Sequence, residues 1–195
     1  MRTIKKFNRN SINENNIEIE DDTVNNKDEE VDLFNLNKLP EDVEKELNEL
    51  IGYEYTAHYF YRNAANWCKN VNYKKATSFF ENESVSELEH SKGLQDYITQ
   101  WNSIPVIPTV KTDQSFSGLV EIIKGAYQME WNLLLKYSKV QQMMLEKHPA
   151  TFNFIQKYVD IQNTAVAEYS DLLNALQLVN IENKLDLLIF EDRYF

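Results

Sequence analysis

SVSELEHSKGLQ, residues 84–95, contains a glutamate and a histidine three positions apart, Glu87 and His90, within a segment whose apolar residues recur at helical spacing. Side chains three positions apart share one face of a helix. Four-helix carboxylate proteins use this pair to present an oxygen ligand and a nitrogen ligand to two metal ions in the bundle core. Because the spacing also arises by chance on solvated helix faces, the case for a metal site depends on the rest of the chain.

The composition is typical of a helical protein with one sizeable core. Of the 195 residues, 43% are hydrophobic and only 4 are glycine and 4 proline, which favours long helices with few connections. The formal net charge of -11 argues against nucleic acid as a partner, because phosphate binding needs clustered Lys and Arg. The single cysteine, Cys68, excludes an internal disulfide and fits a reducing compartment. No apolar run approaches the roughly 20 residues that span a bilayer, so we expect a soluble, cytoplasmic protein.

The sequence pattern divides the chain into a tail, a bundle of four helices and a short terminal helix. Residues 1–40 are rich in Asn, Asp and Glu and lack apolar periodicity, which predicts a disordered acidic extension. Residues 41–181 contain four periodic segments, predicting helices at residues 41–68, 73–100, 116–147 and 150–179. Pro105 and Pro108 make residues 102–115 an extended crossover. Residues 182–195 form a short apolar helix, which must pack on another surface and is placed here at a subunit contact.

Each predicted long helix carries a polar residue on its apolar stripe: Glu54, Glu87, Glu130 and Gln162. Two short connections and one long crossover predict two antiparallel hairpins. By helix rise, Glu54 and Glu87 both lie roughly 25 Å from the first turn, while Glu130 and Gln162 agree in depth to within about 6 Å. An unpartnered carboxylate facing a core is costly. Three carboxylates and an amide on apolar stripes at one depth therefore predict a metal centre.

The types of ligand atom restrict the identity of the metal ion only in part. Three carboxylates and one imidazole suit a redox-active first-row ion such as iron, and suit manganese or zinc almost as well. Tyr61 lies seven residues after Glu54 on the same face. A tyrosine there hydrogen-bonds a ligand, supplies an electron or simply fills the core. His58 and His148 are expected to lie outside the site.

Four stretches resemble ferritins, specifically the non-haem maxi-ferritins of bacteria and the heavy-chain type of eukaryotes, over roughly residues 43–192. They are LNELIGYEYTAHYFYRNAANWC (47–68), ENESVSELEHSKGLQDYI (81–98), AYQMEW (126–131) and PATFNFIQKYVDIQ (149–162). The resemblance implies an all-α, ferritin-like four-helix bundle with a long crossover and a short fifth C-terminal helix. It also implies a ferroxidase that oxidises Fe(II) with dioxygen or peroxide at a di-iron centre, and stores Fe(III) as mineral inside a shell of 24 identical subunits.

The resemblance also implies roles for individual residues. The metal-binding set would be Glu54, Glu87, His90 and Glu130. Glu87 would bridge two irons, one held with Glu54 and His90 and the other with Glu130. Tyr61 corresponds to the tyrosine of the catalytic site, and Gln162 to the glutamine beside it. The partners implied are iron ions, an oxidant and further copies of the chain, with neither nucleic acid nor a membrane.

The sequence departs from the family pattern at the positions of a further iron site. Many bacterial ferritins carry a further iron site, but Ser86, Ile161, Thr164 and Ala165 stand at the matching positions and provide no carboxylate. That further site is expected to be missing.

An alternative function is a ferritin-like shell protein with weak or no ferroxidase activity, whose N-terminal tail recruits a partner. A DNA-protecting miniature ferritin is disfavoured, because that family places its ligands across subunits and lacks the fifth helix.

Overall fold

Five helices account for the regular structure of the computed structural model, which describes residues 36–111 and 114–195. They are α1 (Glu41–Asn70), α2 (Lys74–Gln100), α3 (Leu119–Lys147), α4 (Pro149–Leu176) and α5 (Lys184–Tyr194). These described residues contain no strand, and the all-α prediction of four long helices and a short fifth is confirmed. The predicted acidic extension falls largely on residues 1–35, which lie outside the described residues. Within the described residues, every helix falls short of the length and apolar character that a membrane span requires.

Local sequence explains where the helices begin. Pro40 precedes α1, and acidic residues fill its first turn, where they face the partial positive charge of a helix amino end. The third helix begins at Leu119, three residues later than predicted. The reason is a side-chain bond: the Glu121 carboxylate accepts hydrogen bonds from the Ser117 backbone N–H and hydroxyl, at 2.7 and 2.6 Å. This arrangement holds Ser117 outside the helix.

Two apolar clusters fill the bundle, with a polar layer between them. The first cluster includes Phe80, Ile122 and Tyr169, and the second includes Leu50, Leu94 and Ile155. On each long helix a buried polar residue stands between the members of the two clusters: Glu54, Glu87, Glu130 and Gln162. The polar residues therefore lie at one level of the bundle, as the depth calculation predicts.

The order of the clusters along each helix gives the helix directions. Along α1 and α4 the second cluster comes first, whereas along α2 and α3 the first cluster comes first. Hence α1 runs parallel to α4 and antiparallel to α2 and α3. The crossover from α2 to α3 follows α1, since the Val106 backbone N–H donates to the side-chain oxygen of Asn48 at 2.7 Å. Two antiparallel hairpins with one long crossover are the result.

The short helix α5 docks at the end of the bundle that holds the first cluster. Phe190 is buried in that cluster. The Glu191 carboxylate accepts hydrogen bonds from the backbone N–H groups of Lys75 and Ala76, at 2.6 and 2.9 Å. The first turn of α2 has no acidic residue, and its N-cap residue makes no side-chain hydrogen bond. Glu191 therefore supplies the acceptor that the amino end of α2 otherwise lacks.

Candidate metal centre

Two neighbouring helices bring three potential metal ligands together in the polar layer. Glu54 lies on α1, and Glu87 and His90 lie on one face of α2. One ligand atom from each residue lies within 4.8 Å of the others. The His90 Nδ1 atom is 3.1 Å from Glu87 Oε2 and 3.6 Å from Glu54 Oε2. Two carboxylates and an imidazole in this arrangement form a compact set of metal donors.

Glu130 reaches the same layer from α3 and is tied to α1 by a reciprocal pair of hydrogen bonds. The Tyr61 hydroxyl donates to Glu130 Oε1, and the Tyr137 hydroxyl donates to Glu54 Oε1. All four side chains are fully buried. Each of the two helices thus contributes one glutamate and, seven residues later, one tyrosine. Because α1 and α3 are antiparallel, each tyrosine meets the glutamate of the opposite helix.

Three oxygen atoms in the layer have no hydrogen-bond partner among the described residues: Glu54 Oε2, Glu130 Oε2 and Gln162 Oε1. Buried polar atoms are almost always paired, and an unpaired carboxylate oxygen is especially costly. A cation would satisfy such atoms. The cluster of Glu54, Glu87 and His90, with Glu130 in the same layer, offers carboxylates and an imidazole that fit a first-row divalent ion. The residues present therefore fit the metal predicted from the sequence.

Two carboxyl groups of the layer, those of Glu87 and Glu130, hold their protons more tightly than ordinary carboxyls. Burial, followed by the charges of Glu54 and Glu130, raises the pKa of Glu87 well above its usual range. Burial likewise raises the pKa of Glu130 to about 7, against the opposing effect of the Tyr61 hydrogen bond. Without a cation, three carboxylates in close proximity cannot all be charged at low cost. A metal ion entering the site would therefore displace protons.

The same buried, acidic surroundings also shift the pKa values of His90, Tyr61 and Tyr137. Burial lowers the pKa of His90, but the neighbouring carboxylates, led by Glu54, outweigh burial and leave the pKa above its usual value. Burial and the adjacent carboxylates raise the pKa of Tyr61 and of Tyr137 well above the normal value for a phenol. Both phenols therefore remain protonated near neutral pH and act as hydrogen-bond donors to Glu130 and Glu54.

The other predicted residues occupy distinct places. Gln162 is buried at the level of the polar layer on α4. His58 lies on α1 outside the donor cluster, and its Nδ1 atom donates to the Ser84 carbonyl oxygen at 2.6 Å. His148 lies at the start of α4, and its Nδ1 atom accepts a hydrogen bond from the Thr151 backbone N–H at 3.3 Å. Both histidines thus have local roles in the bundle.

Sequence reasoning missed two polar groups, one within the layer and one beside it. Tyr137 fits the apolar stripe of α3 and is not among the predicted site residues, although it follows Glu130 by the same seven residues that separate Tyr61 from Glu54. That repeated spacing on two helices is a signal that could have identified it. Glu83, one turn before Glu87, was also missed. Burial, followed by the charge of Glu168, raises the pKa of Glu83 to about 7. The four-residue spacing to Glu87 places Glu83 on the same helix face, but the sequence does not show that it is partly buried.

Comparison with known proteins places this geometry in a family context. A protein-family model described as a ferritin-like domain matches residues 44–179. A bacterial non-heme ferritin of Escherichia coli is 28% identical over 141 residues, which are 71% of this chain and 85% of that protein. A probable bacterial non-heme ferritin-like protein of Haemophilus influenzae is 26% identical over 156 residues, or 79% of this chain and 94% of that protein.

Solved structures share the fold over most of the chain. An open-pore ferritin from the hyperthermophilic archaeon Archaeoglobus fulgidus superposes with a TM-score of 0.75 at 23% identity, covering 80% of this chain and 97% of that one. A Chlorobium tepidum ferritin gives a TM-score of 0.70 at 23% identity, covering 78% of this chain and 93% of that one. Both likenesses concern the arrangement of the helices.

Proposed function

Since this chain belongs to the family of proteins with the ferritin-like domain, which spans residues 44–179, we propose that it is an iron-storage protein with ferroxidase activity. Its substrate would be Fe(II), its oxidant dioxygen or peroxide, and its product Fe(III) held as mineral. The names of the Escherichia coli and Haemophilus influenzae relatives agree with storage of non-haem iron.

The observation that carries the proposal is the buried donor cluster of the polar layer. Glu54, Glu87 and His90 offer ligand atoms within 4.8 Å of one another. Glu130 adds a carboxylate oxygen with no hydrogen-bond partner among the described residues. We assign one iron to the cluster of three and a second to Glu87 and Glu130, with Glu87 shared. Tyr61 orients Glu130 through its hydrogen bond, and Gln162 on α4 would lie beside the two ions.

The proposed reaction balances with two Fe(II) for each dioxygen. Each Fe(II) loses one electron, and the two electrons with two protons convert dioxygen to hydrogen peroxide. The raised pKa values of Glu87 and Glu130 mean that protons leave these carboxyls as Fe(II) binds. The buried layer would hold the ligands of both ions in place while the ions are oxidised. Fe(III) then leaves for storage.

Storage as mineral requires an enclosed space, and we propose that identical subunits, 24 in the family arrangement, form it in the cytoplasm. The exposed side of α5 supports a contact with further copies, since Leu185, Leu188 and Ile189 have 61%, 47% and 55% of their surface exposed. Apolar side chains grouped in this way favour an interface.

The activity can be tested by mixing apo protein aerobically with two Fe(II) per subunit and following absorbance by stopped flow. Glu87→Ala removes the ligand shared by both ions, and we expect the initial rate of oxidation to fall at least about 100-fold. Glu89→Ala is the matched control, because Glu89 lies on the exposed face of the same helix. Its rate should equal that of the parent.

The outcomes separate the two functions under consideration. Fast oxidation in the parent and in Glu89→Ala, with loss in Glu87→Ala, supports the ferroxidase. Equally slow rates in all three proteins would contradict it and favour a shell protein with weak or no activity. Sedimentation velocity of the same samples measures the size of the assembly independently of the chemistry.

A further inference from the structure

Tyr137 on α3 makes a hydrogen bond whose effect falls on a metal ligand. Its hydroxyl donates to Glu54 Oε1, and both side chains are fully buried. The other oxygen, Glu54 Oε2, has no hydrogen-bond partner among the described residues and lies 3.6 Å from His90 Nδ1. One oxygen of Glu54 is therefore hydrogen-bonded within the protein, and the other lies next to the donor cluster.

The ring of Tyr137 is held in place from a third helix. It stacks on the ring of Tyr158 from α4, with centroids 5.2 Å apart and planes 2° from parallel. The Tyr158 hydroxyl in turn donates to the backbone carbonyl oxygen of His90 at 3.3 Å. Tyr158 can approach α2 this closely because position 93 is glycine: a methyl group on Gly93 would lie 2.5 Å from the Tyr158 oxygen.

These contacts join all four long helices around one carboxylate. The absence of a side chain at Gly93 leaves space for the Tyr158 hydroxyl. The Tyr158 ring stacks on Tyr137, and the Tyr137 hydroxyl holds Glu54 by a hydrogen bond. A phenylalanine at position 137 would fill the same apolar space. The hydroxyl group needs another explanation, and its hydrogen bond to Glu54 Oε1 provides one.

A carboxylate with two free oxygens can bind one cation through both, whereas a carboxylate with one oxygen hydrogen-bonded binds through the other. Large oxygen-seeking ions such as Ca²⁺ take six to eight ligands and commonly use bidentate carboxylates. First-row divalent ions accept fewer ligands and include nitrogen donors readily. We propose that Tyr137 is a positioning residue that restricts Glu54 to coordination through Oε2, and so favours first-row divalent ions over Ca²⁺. This inference rests on the proposed function only in taking the donor cluster to be a metal site.

The test uses Co²⁺, whose visible absorption reports its coordination number, added to the full-length apo protein. In Tyr137→Phe both Glu54 oxygens are free, so we expect weaker visible bands as the coordination number rises. Partners of metal ligands typically contribute on the order of 10–100-fold in affinity, and we expect Ca²⁺ to displace Co²⁺ at least about tenfold more effectively from this variant. Gly93→Ala, which displaces Tyr158, should shift both readouts in the same direction by a smaller amount.

Tyr97→Phe is the matched control. It removes another buried hydroxyl of the second cluster, one bonded to Thr151 at 2.9 Å and not to a ligand. Its Co²⁺ spectrum and Ca²⁺ competition should match those of the parent.

The results distinguish this inference from the proposed function. If the parent binds Co²⁺ and Tyr137→Phe keeps the parental spectrum and selectivity, the inference is wrong and the metal site stands. If Tyr97→Phe changes both readouts as much as Tyr137→Phe, the effect comes from general loosening of the core and the inference is also wrong. Failure of the parent to bind Co²⁺ would overturn the inference together with the metal site.

Discussion

Three buried glutamates and a histidine lie in the polar layer between the two apolar clusters. The free energy cost of burying their charges determines when they ionise. Burial raises the pKa of Glu130 to about 7, although the Tyr61 hydrogen bond acts in the opposite direction. At neutral pH the metal-free layer therefore retains protons that an exposed carboxyl would have lost. The same burial that makes the layer receptive to a cation makes it unfavourable to ionise without one.

The stability of the apo protein should record this effect through Glu130. A carboxyl whose pKa is raised on folding stabilises the fold below its ordinary pKa of 4.5, and that contribution is lost as the pH rises through about 7. Glu130→Gln keeps the shape of the protonated carboxyl but has no proton to lose. We expect the two apo proteins to be similarly stable near pH 4.5 and the variant to gain on the parent up to pH 8.

Urea unfolding of both proteins in the presence of a chelator, at several pH values, measures the difference. Two stability curves that stay parallel from pH 4.5 to 8 would contradict the raised pKa. Glu146→Gln, at an exposed position on the same helix, is a control that should follow the parent.

Among the elements, α5 is attached to the bundle by the buried ring of Phe190 and by one carboxylate, that of Glu191. Glu191 is buried and accepts hydrogen bonds from the Lys75 and Ala76 backbone N–H groups in the first turn of α2. The neighbouring Asp192 forms an ion pair with Lys75 at 3.0 Å, but both side chains are largely exposed. Charged hydrogen bonds in buried places contribute more than surface ion pairs do, so adjacent residues of one short helix should differ in importance.

Glu191→Ala should loosen α5 from the bundle. Loss of hydrogen bonds to a charged group costs on the order of 2 kcal/mol, which corresponds to roughly 30-fold faster amide exchange in α5. Asp192→Ala should change the exchange rate by less than about fivefold, because exposed ion pairs contribute under about 1 kcal/mol. Hydrogen–deuterium exchange followed by mass spectrometry measures both. Equal effects of the two substitutions would show that Glu191 does not anchor the helix.

The helices themselves were largely predictable, since each must bury an apolar stripe and the spacing of that stripe is written in the sequence. The start of α3 was not, because Phe116 fits the apolar pattern and yet precedes the helix. Its exclusion follows from the bond between Ser117 and Glu121. A side-chain hydrogen bond to the backbone leaves no trace in the apolar period, so helix ends are less predictable than helix interiors.

At the scale of the whole molecule, the candidate site was predictable to the extent that burial is costly. Glu54, Glu87 and Glu130 stand out because a carboxylate on an apolar stripe needs a partner. Tyr137 does not stand out in the same way, since a tyrosine on such a stripe is ordinary core. The partner of its hydroxyl depends on how α1 and α3 face each other, which is a property of the assembled bundle.

A cation in the polar layer should stabilise the entire bundle, because its ligands come from α1, α2 and α3. With free Co²⁺ at about 100 times its dissociation constant, linkage gives about 2.7 kcal/mol of added stability. Urea unfolding at fixed protein concentration should show this gain in the parent, its loss on adding a chelator, and its absence in Glu87→Ala. A gain that survives in Glu87→Ala would place the stabilising ion elsewhere.

The reciprocal bonds between α1 and α3 relate Glu54 and Tyr61 to Glu130 and Tyr137 by an approximate twofold axis through the polar layer. The other two helices break this symmetry. On α2 the layer receives a carboxylate and an imidazole from Glu87 and His90, whereas on α4 it receives the uncharged amide of Gln162. Two ions entering a nearly symmetric frame would therefore meet unequal halves. Their binding should proceed in a fixed order, with the half that contains His90 filled first.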